Sequence, residues 1–358
     1  MGKALFFLFY CFGCFSIFFL WAKNIQCYSI QYLITFLLCF FLGFRGLNSG
    51  ADTETYLIFF DSIASGSVSQ MFEPGFQFFS FLMVKFLSAE FYLLFISVLQ
   101  FSFLLLALYF IRLQNPMACI WLLLAFMPGL DLATSAIRSF LAASFGALVL
   151  CFTMKYRRLY LLNYLPALFH SSYFLVPLFL TSFFRGLSWR KLNIIYMLSF
   201  FLFVLFIFLD TDFIGGAIGS YVTGYGVFSK FVRYVILKDD LLSPLVRFYF
   251  VFLSLVLSAL LLYMARYKKA YDVYGYYQQM CSVVICCQFV YALISFSSFA
   301  YRFYYIYYVL QIIALVYGLS NFFDRRRAIF IYFLLLFGGF LSTYTTNKFL
   351  GYTFFTFF

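Results

Sequence analysis

Apolar runs follow one another along this chain with short interruptions. They fall at 4–22, 28–44, 76–88, 91–111, 117–130, 137–154, 159–183, 193–209, 245–264, 279–296, 303–320 and 328–342. About 20 apolar residues cross a bilayer as a helix, and many of these runs approach that length. The pattern predicts an all-α polytopic membrane protein of about eleven crossings plus short or re-entrant helices. No internal repeat and no compositional linker divides it, so residues 1–358 read as one integral membrane domain. Lys3 leads into the first run and no A-x-A site closes it, which reads as a transmembrane helix rather than a signal peptide.

Two runs break the pattern. The 76–88 run is too short to span and reads as re-entrant or interfacial. The 159–183 run has basic residues at both ends, Pro166 and Pro177 inside, and His170 in its middle. A hairpin of two short helices with His170 at its tip fits it. Non-helical backbone at membrane depth is tolerated only against protein or a water-filled cavity, so both segments point to a cavity near one face.

Charge sets the orientation. Lys155/Arg157/Arg158, Arg185/Arg190/Lys191, Arg266/Lys268/Lys269 and Arg325/Arg326/Arg327 sit between apolar runs and are expected on the cytoplasmic side. That leaves 45–74, Asp131–Arg138, 210–244, 297–302 and the C-terminus outside. The net charge of +12 is largely spent in these clusters, so no nucleic-acid partner is expected. With 66% hydrophobic and 10% charged residues, the chain lacks the surface of a soluble protein, which is about one-quarter charged.

The 59 phenylalanines suit lipid-facing positions, while Tyr304, Tyr305, Tyr307 and Tyr308 read either as an interfacial belt or as the lining of a sugar-binding cavity. Nine cysteines lie mostly within apolar runs. Cys11 and Cys14 have CxxC spacing but no polar support around them, so neither a metal nor a cofactor is expected.

Polar groups inside a membrane protein are costly and are candidates for function by default. Once the cytoplasmic clusters are set aside, Arg45, Asp52, Glu54, Asp61, Glu73, Asp131, Arg138, His170, the charges in 210–247 and Arg302 remain, and four groups stand out among them. The first is Arg45, then Gly50-Ala51-Asp52-Thr53-x-x-Tyr56, then Glu73-Pro74-Gly75-Phe76. The second is Ala136-Ile137-Arg138-Ser139-Phe140-Leu141-Ala142. The third is Phe169-His170-Ser171-Ser172, and the fourth Tyr301-Arg302-x-x-Tyr305.

In order and spacing, these resemble the EpsG-like family of bacterial polysaccharide polymerases, which includes many Wzy-type O-antigen polymerases. The match runs from 45 to 172 and is fainter near 302; Ser139 stands where the family often has Gln. The resemblance implies a GT-C-like membrane glycosyltransferase in the bacterial inner membrane, with its active site facing the periplasm. It would join undecaprenyl-pyrophosphate-linked glycans as donor and acceptor, with no nucleotide sugar, alongside a protein that regulates chain length.

The residue chemistry is compatible with that. A pyrophosphate leaving group needs fixed cations, and the arginine fork suits phosphate oxygens. Arg45, Arg138 and Arg302 are the candidates, with Arg233 and Arg247 behind them; each is alternatively a helix-end arginine reaching for the interface. An acceptor hydroxyl needs a base. Asp52 and Glu73 are candidates, the alternatives being an Asx-turn and a helix cap ahead of Pro74. Asp52 with Glu54 is a weaker pair for a divalent ion. His170 is a base, a phosphate donor, or a structural group. Tyr56 and Tyr305 are sugar-lining candidates. Two other functions stay open: a flippase for the same lipid-linked glycan, and a membrane glycan O-acyltransferase using His170.

Overall fold

A computed structural model describes residues 2–23, 25–45, 52–67, 72–156, 160–177, 187–208, 244–267, 275–295 and 300–350. All regular structure among them is helical. The expected outer loop at 210–244 lies outside these residues apart from 244, as do Gly50, Ala51 and Arg233 and parts of the 45–74 and 297–302 loops and of the basic clusters.

The chain opens with α1 (Gly2–Lys23) and α2 (Tyr28–Gly43). Two short helices follow, α3 (Thr53–Ala64) and α4 (Pro74–Val84), then the long α5 (Ala89–Phe110). Next come α6 (Pro116–Ala125), α7 (Met127–Thr134) and α8 (Ile137–Tyr156). After two short 3-10 helices the chain continues through α9 (Trp189–Phe208), α10 (Pro244–Met264), α11 (Tyr276–Ile294), α12 (Ala300–Phe322) and α13 (Arg325–Leu350).

Seven described helices are long and apolar enough to cross a bilayer: α5 and α8 to α13. The α6–α7 pair makes an eighth if counted as one broken span, while α1, α2 and α4 are shorter apolar helices over their described residues. The count among described residues is therefore seven to eight, against the eleven expected.

The 117–130 run, expected as one segment, is bent by 97° between α6 and α7. Phe126 is extended at φ −95°, ψ 148°, and Pro128 opens α7. The carbonyls freed by the break are taken up by neighbours, as lipid demands. Tyr308 donates to the Leu123 carbonyl at 2.9 Å and Thr343 to that of Ala125 at 2.8 Å. Gly129 turns in so close that an added Cβ would sit 1.8 Å from the Leu123 oxygen. Glycine is therefore required there.

Register fixes direction. Phe101, Phe103 and Phe110 of α5 meet Phe140, Phe145 and Phe152 of α8 in ascending order, so the two run parallel. Phe250, Ser254 and Ser258 of α10 likewise meet Tyr304, Tyr307 and Gln311 of α12. The helix α11 runs against α12, with Tyr291 on Tyr304 at one end and Tyr277 on Phe322 at the other. The helix α12 is the buried centre. Tyr304, Tyr305, Tyr307 and Tyr308 are at most 2% exposed, so they form neither an interfacial belt nor an open cavity wall.

The basic residues gather at one end: Lys155 closes α8, Arg190 and Lys191 open α9, Arg266 follows α10, and Arg325 opens α13 and donates to the Ala22 carbonyl near the end of α1. The starts of α8, α10 and α12 lie at the opposite end. With α6–α7 counted as one broken span, three passes separate α3 from Lys155, because α4 has only 11 residues and does not span.

Candidate functional site

The site lies where α8 and α12 begin. Thr53 positions its first wall. It is fully buried, receives Arg45 Nε at 3.4 Å, and donates to the Thr134 carbonyl at the end of α7 at 3.3 Å. Gln100 of α5 donates to the Ile137 carbonyl at 2.8 Å, just before Arg138. That contact lies about three turns down α5, so the first half of α5 continues past the start of α8. With α3 and α4 it packs a separate small core of Tyr56, Phe59, Phe60, Phe76, Tyr92, Leu93 and Ile96.

Arg138, the second residue of α8, is held from three sides. Its Nη1 pairs with the Glu73 carboxylate. Its Nε donates to the Tyr56 hydroxyl at 3.4 Å, and its guanidinium lies 4.2 Å from the Phe72 ring centre. The other Glu73 oxygen accepts from the Ser171 backbone N–H at 3.3 Å and its hydroxyl at 3.4 Å. Glu73 stands at the cap position before α4 but makes no cap bond there. Its carboxylate is spent on tertiary partners instead. Burial acts to raise its pKa, but His170, Arg138 and the Ser171 N–H outweigh it and hold the carboxyl below its ordinary value.

The expected hairpin is a pair of 3-10 helices, Tyr160–Leu168 and Ser171–Leu175, with His170 between them. His170 is buried and its Nδ1 accepts from the Ser172 N–H at 3.3 Å, which leaves the ring proton on Nε2. Burial pulls its pKa down to about 4 against the pull of Glu73, and Arg138 and Arg302 add to the drop. His170 is neutral at pH 7, so the lasting cation beside Glu73 is Arg138.

Asp52 caps α3 without a side-chain cap bond and opens to solvent. The protein around it pushes its carboxyl up, while Arg302 and Arg138 pull it back. Both arginines also act on His170. Arg302, the third residue of α12, donates through Nε to the Tyr301 hydroxyl at 3.0 Å. The structure thus brings Asp52, Glu73, Arg138, His170 and Arg302 into one cluster from five stretches of sequence.

Arg45 stands apart. It is 6% exposed, and its Nη1 donates to the Leu42 carbonyl at 2.6 Å. Burial lowers its pKa to about 10, which leaves it charged. It anchors the Thr53 segment. Tyr56 and Tyr305 are each 2% exposed, and their hydroxyls hold Arg138 and Asp131.

Asp131, one of the polar candidates, lies outside the four motifs. It lies on α7, accepts from the Tyr305 hydroxyl and from Ser135, and is within electrostatic reach of Asp52 and Tyr301. Its signal was only an acidic residue at the end of an apolar run. Among the described residues no group of three or more His, Cys, Asp or Glu is placed to hold a metal ion.

The sequence model of the EpsG family matches residues 28–356, nearly the whole chain. This protein belongs to the EpsG family. Within this EpsG-family chain, the Asp-Thr-x-x-Tyr motif divides its labour. Asp52 faces the cluster, Thr53 ties Arg45 to α7, and Tyr56 holds Arg138. No curated protein and no solved structure matches it.

Proposed function

We propose that this protein is a polymerase of lipid-linked glycans, working where α8 and α12 begin. It joins oligosaccharide repeat units carried on undecaprenyl pyrophosphate into O-antigen or a related surface polysaccharide. The observation that carries the reading is the convergence of Arg138 and Arg302 beside Asp52, with Glu73 and His170 behind them. Both arginines stand in the first turn of a helix. The helix macrodipole disfavours cations there and favours anions. An anion bound there is favoured both by the helix starts and by the guanidinium groups.

The step is a glycosyl transfer. An acceptor hydroxyl oxygen bonds to the donor's anomeric carbon as that carbon's bond to the pyrophosphate oxygen breaks. The bond's electron pair leaves with the pyrophosphate, held by Arg138 and Arg302. The hydroxyl proton passes to Asp52, which is open to solvent and free of a cap bond. Glu73 orients Arg138, and the neutral His170 presents a donor at Nε2.

The gathering of basic residues at the opposite end supports a cytoplasmic position for that end, and therefore a periplasmic site in a bacterial inner membrane. A chain-length regulator is a further expected partner. A flippase would call for cations in mid-span, whereas these arginines lie at helix starts.

The test uses a host that builds matching lipid-linked repeat units but lacks its own polymerase. Expression of this chain should give a ladder of repeat lengths on a lipopolysaccharide gel, reduced to single repeats by Asp52→Asn at equal membrane abundance. A well-expressed parent that gives no ladder overturns the reading.

A further inference from the structure

A third arginine occupies the same end of the bundle. Arg247 is the fourth residue of α10, which runs parallel to α12. The pairs Phe250–Tyr304 and Ser254–Tyr307 fix the register, and one turn before Phe250 it places Arg247 level with Tyr301 and Arg302. Helices packed this way lie about 8–10 Å apart, within the combined reach of two arginine side chains. Arg247 is also within electrostatic reach of Tyr291, which stacks on Tyr304 at 5.3 Å. It is partly exposed.

Charge balance gives it work to do. Arg138 reaches the site already paired with Glu73, and Arg302 shares its field with Asp52. A pyrophosphate brings more than one negative charge to a place where both known cations already face carboxylates. Arg247 has no hydrogen bond or ion pair among the described residues. We infer that Arg247 is a third phosphate-binding cation, gripping the substrate pyrophosphate together with Arg302 across the α10–α12 pair. This rests on the polymerase reading for its substrate, but its own test does not need turnover.

The full chain, purified in detergent, is titrated with inorganic pyrophosphate and binding is read by calorimetry. Binding by the parent, weakened at least tenfold by Arg247→Gln, is expected. Arg190→Gln at the opposite end of the bundle should leave binding unchanged. If Arg247→Gln does not fold, Arg247→Lys is titrated instead. It keeps the charge but loses the two-pronged contact, and several-fold weaker binding is expected. An unchanged affinity in the folded Arg247 variant, or a parent that binds no pyrophosphate, overturns the assignment and leaves Arg247 as an interface anchor. Pyrophosphate binding that depends on Arg247 in a protein that makes no ladder sinks the polymerase reading and keeps the anion site.

Discussion

Arg138 on α8 pairs with Glu73 across 65 residues of sequence, and the same carboxylate reaches on to Ser171. One side chain therefore joins three separate segments: the start of α4, the start of α8 and the second 3-10 helix. The pair is mostly buried, at 16% and 18% side-chain exposure. Removing one partner of such a pair strands the other, at a cost of about 3 kcal/mol. Glu73→Gln should lower the apparent unfolding temperature in detergent by several degrees and reduce the ladder. The double variant Glu73→Gln/Arg138→Gln should be less destabilised than the sum of the singles, with a coupling above about 1 kcal/mol. Additive losses would mean that the pair contributes no coupling.

Asp52 and Thr53 are adjacent and should fail in different ways. Asp52 is exposed and makes no cap bond, so Asp52→Asn removes a base without removing a support. Loss of a general base costs about 10²–10⁴ in rate, with an unchanged unfolding temperature. Thr53 is buried between Arg45 and the Thr134 carbonyl. Thr53→Val should cost about 1–3 kcal/mol, and activity should fall only as far as folded protein does. Quantifying the ladder per unit of folded protein separates the two; equal specific activities for both variants would remove Asp52 from the chemistry.

The membrane architecture and most of the cluster were legible in the sequence because both rest on strong local signals. Long apolar runs can only be helices in lipid, and charges set between them stand out. What escaped depends on tertiary partners. The break after Ala125 lies within one apolar run, marked locally only by Pro128 and Gly129, and survives because Tyr308 and Thr343, far along the chain, take up the freed carbonyls. Hydropathy ranks α12 below α5, α8, α10 and α13, so nothing marked its tyrosines as the buried centre. Glu73 before Pro74 carried a cap signature, yet a distant arginine outcompeted the local N–H groups. Arg45, in the same motif as Asp52, is held instead by partners close in sequence, the Leu42 carbonyl and the Thr53 hydroxyl.

His170 gives the protein a dependence on acid. Its folded pKa, about 4, lies below the ordinary 6.5 because burial disfavours the charged ring. The folded state thus binds its proton more weakly than the unfolded state does. The stability from this group is fully present above pH 6.5 and is lost as pH falls towards 4. Glu73, whose folded pKa is also lowered, adds a loss in the same direction below its ordinary value of 4.5. His170→Gln should remove the slope of unfolding temperature between pH 6.5 and 4.5 and also shrink the fall below it, because His170 helps to lower the Glu73 carboxyl. A slope identical to the parent's would place its origin elsewhere. Asp52, Arg138 and Arg302 face the same space, so the comparison is made at constant ionic strength.

Tyr305 and Asp131 join the buried centre of the bundle to the site. The Tyr305 hydroxyl donates to the Asp131 carboxylate, and α7 is otherwise held at this end by the Thr53 contact to Thr134. Tyr305→Phe removes the donor while keeping the ring that packs on Phe250. A hydrogen bond to a charged group contributes about 1.5–3 kcal/mol, so a fall in unfolding temperature is expected. Asp131 would keep Ser135 as a donor but lose its fixed direction. Because Asp131 shares its field with Asp52, the pH at which polymerisation is half-maximal should also shift in Tyr305→Phe. A purely packing role for Tyr305 would lower stability and leave that midpoint where it is.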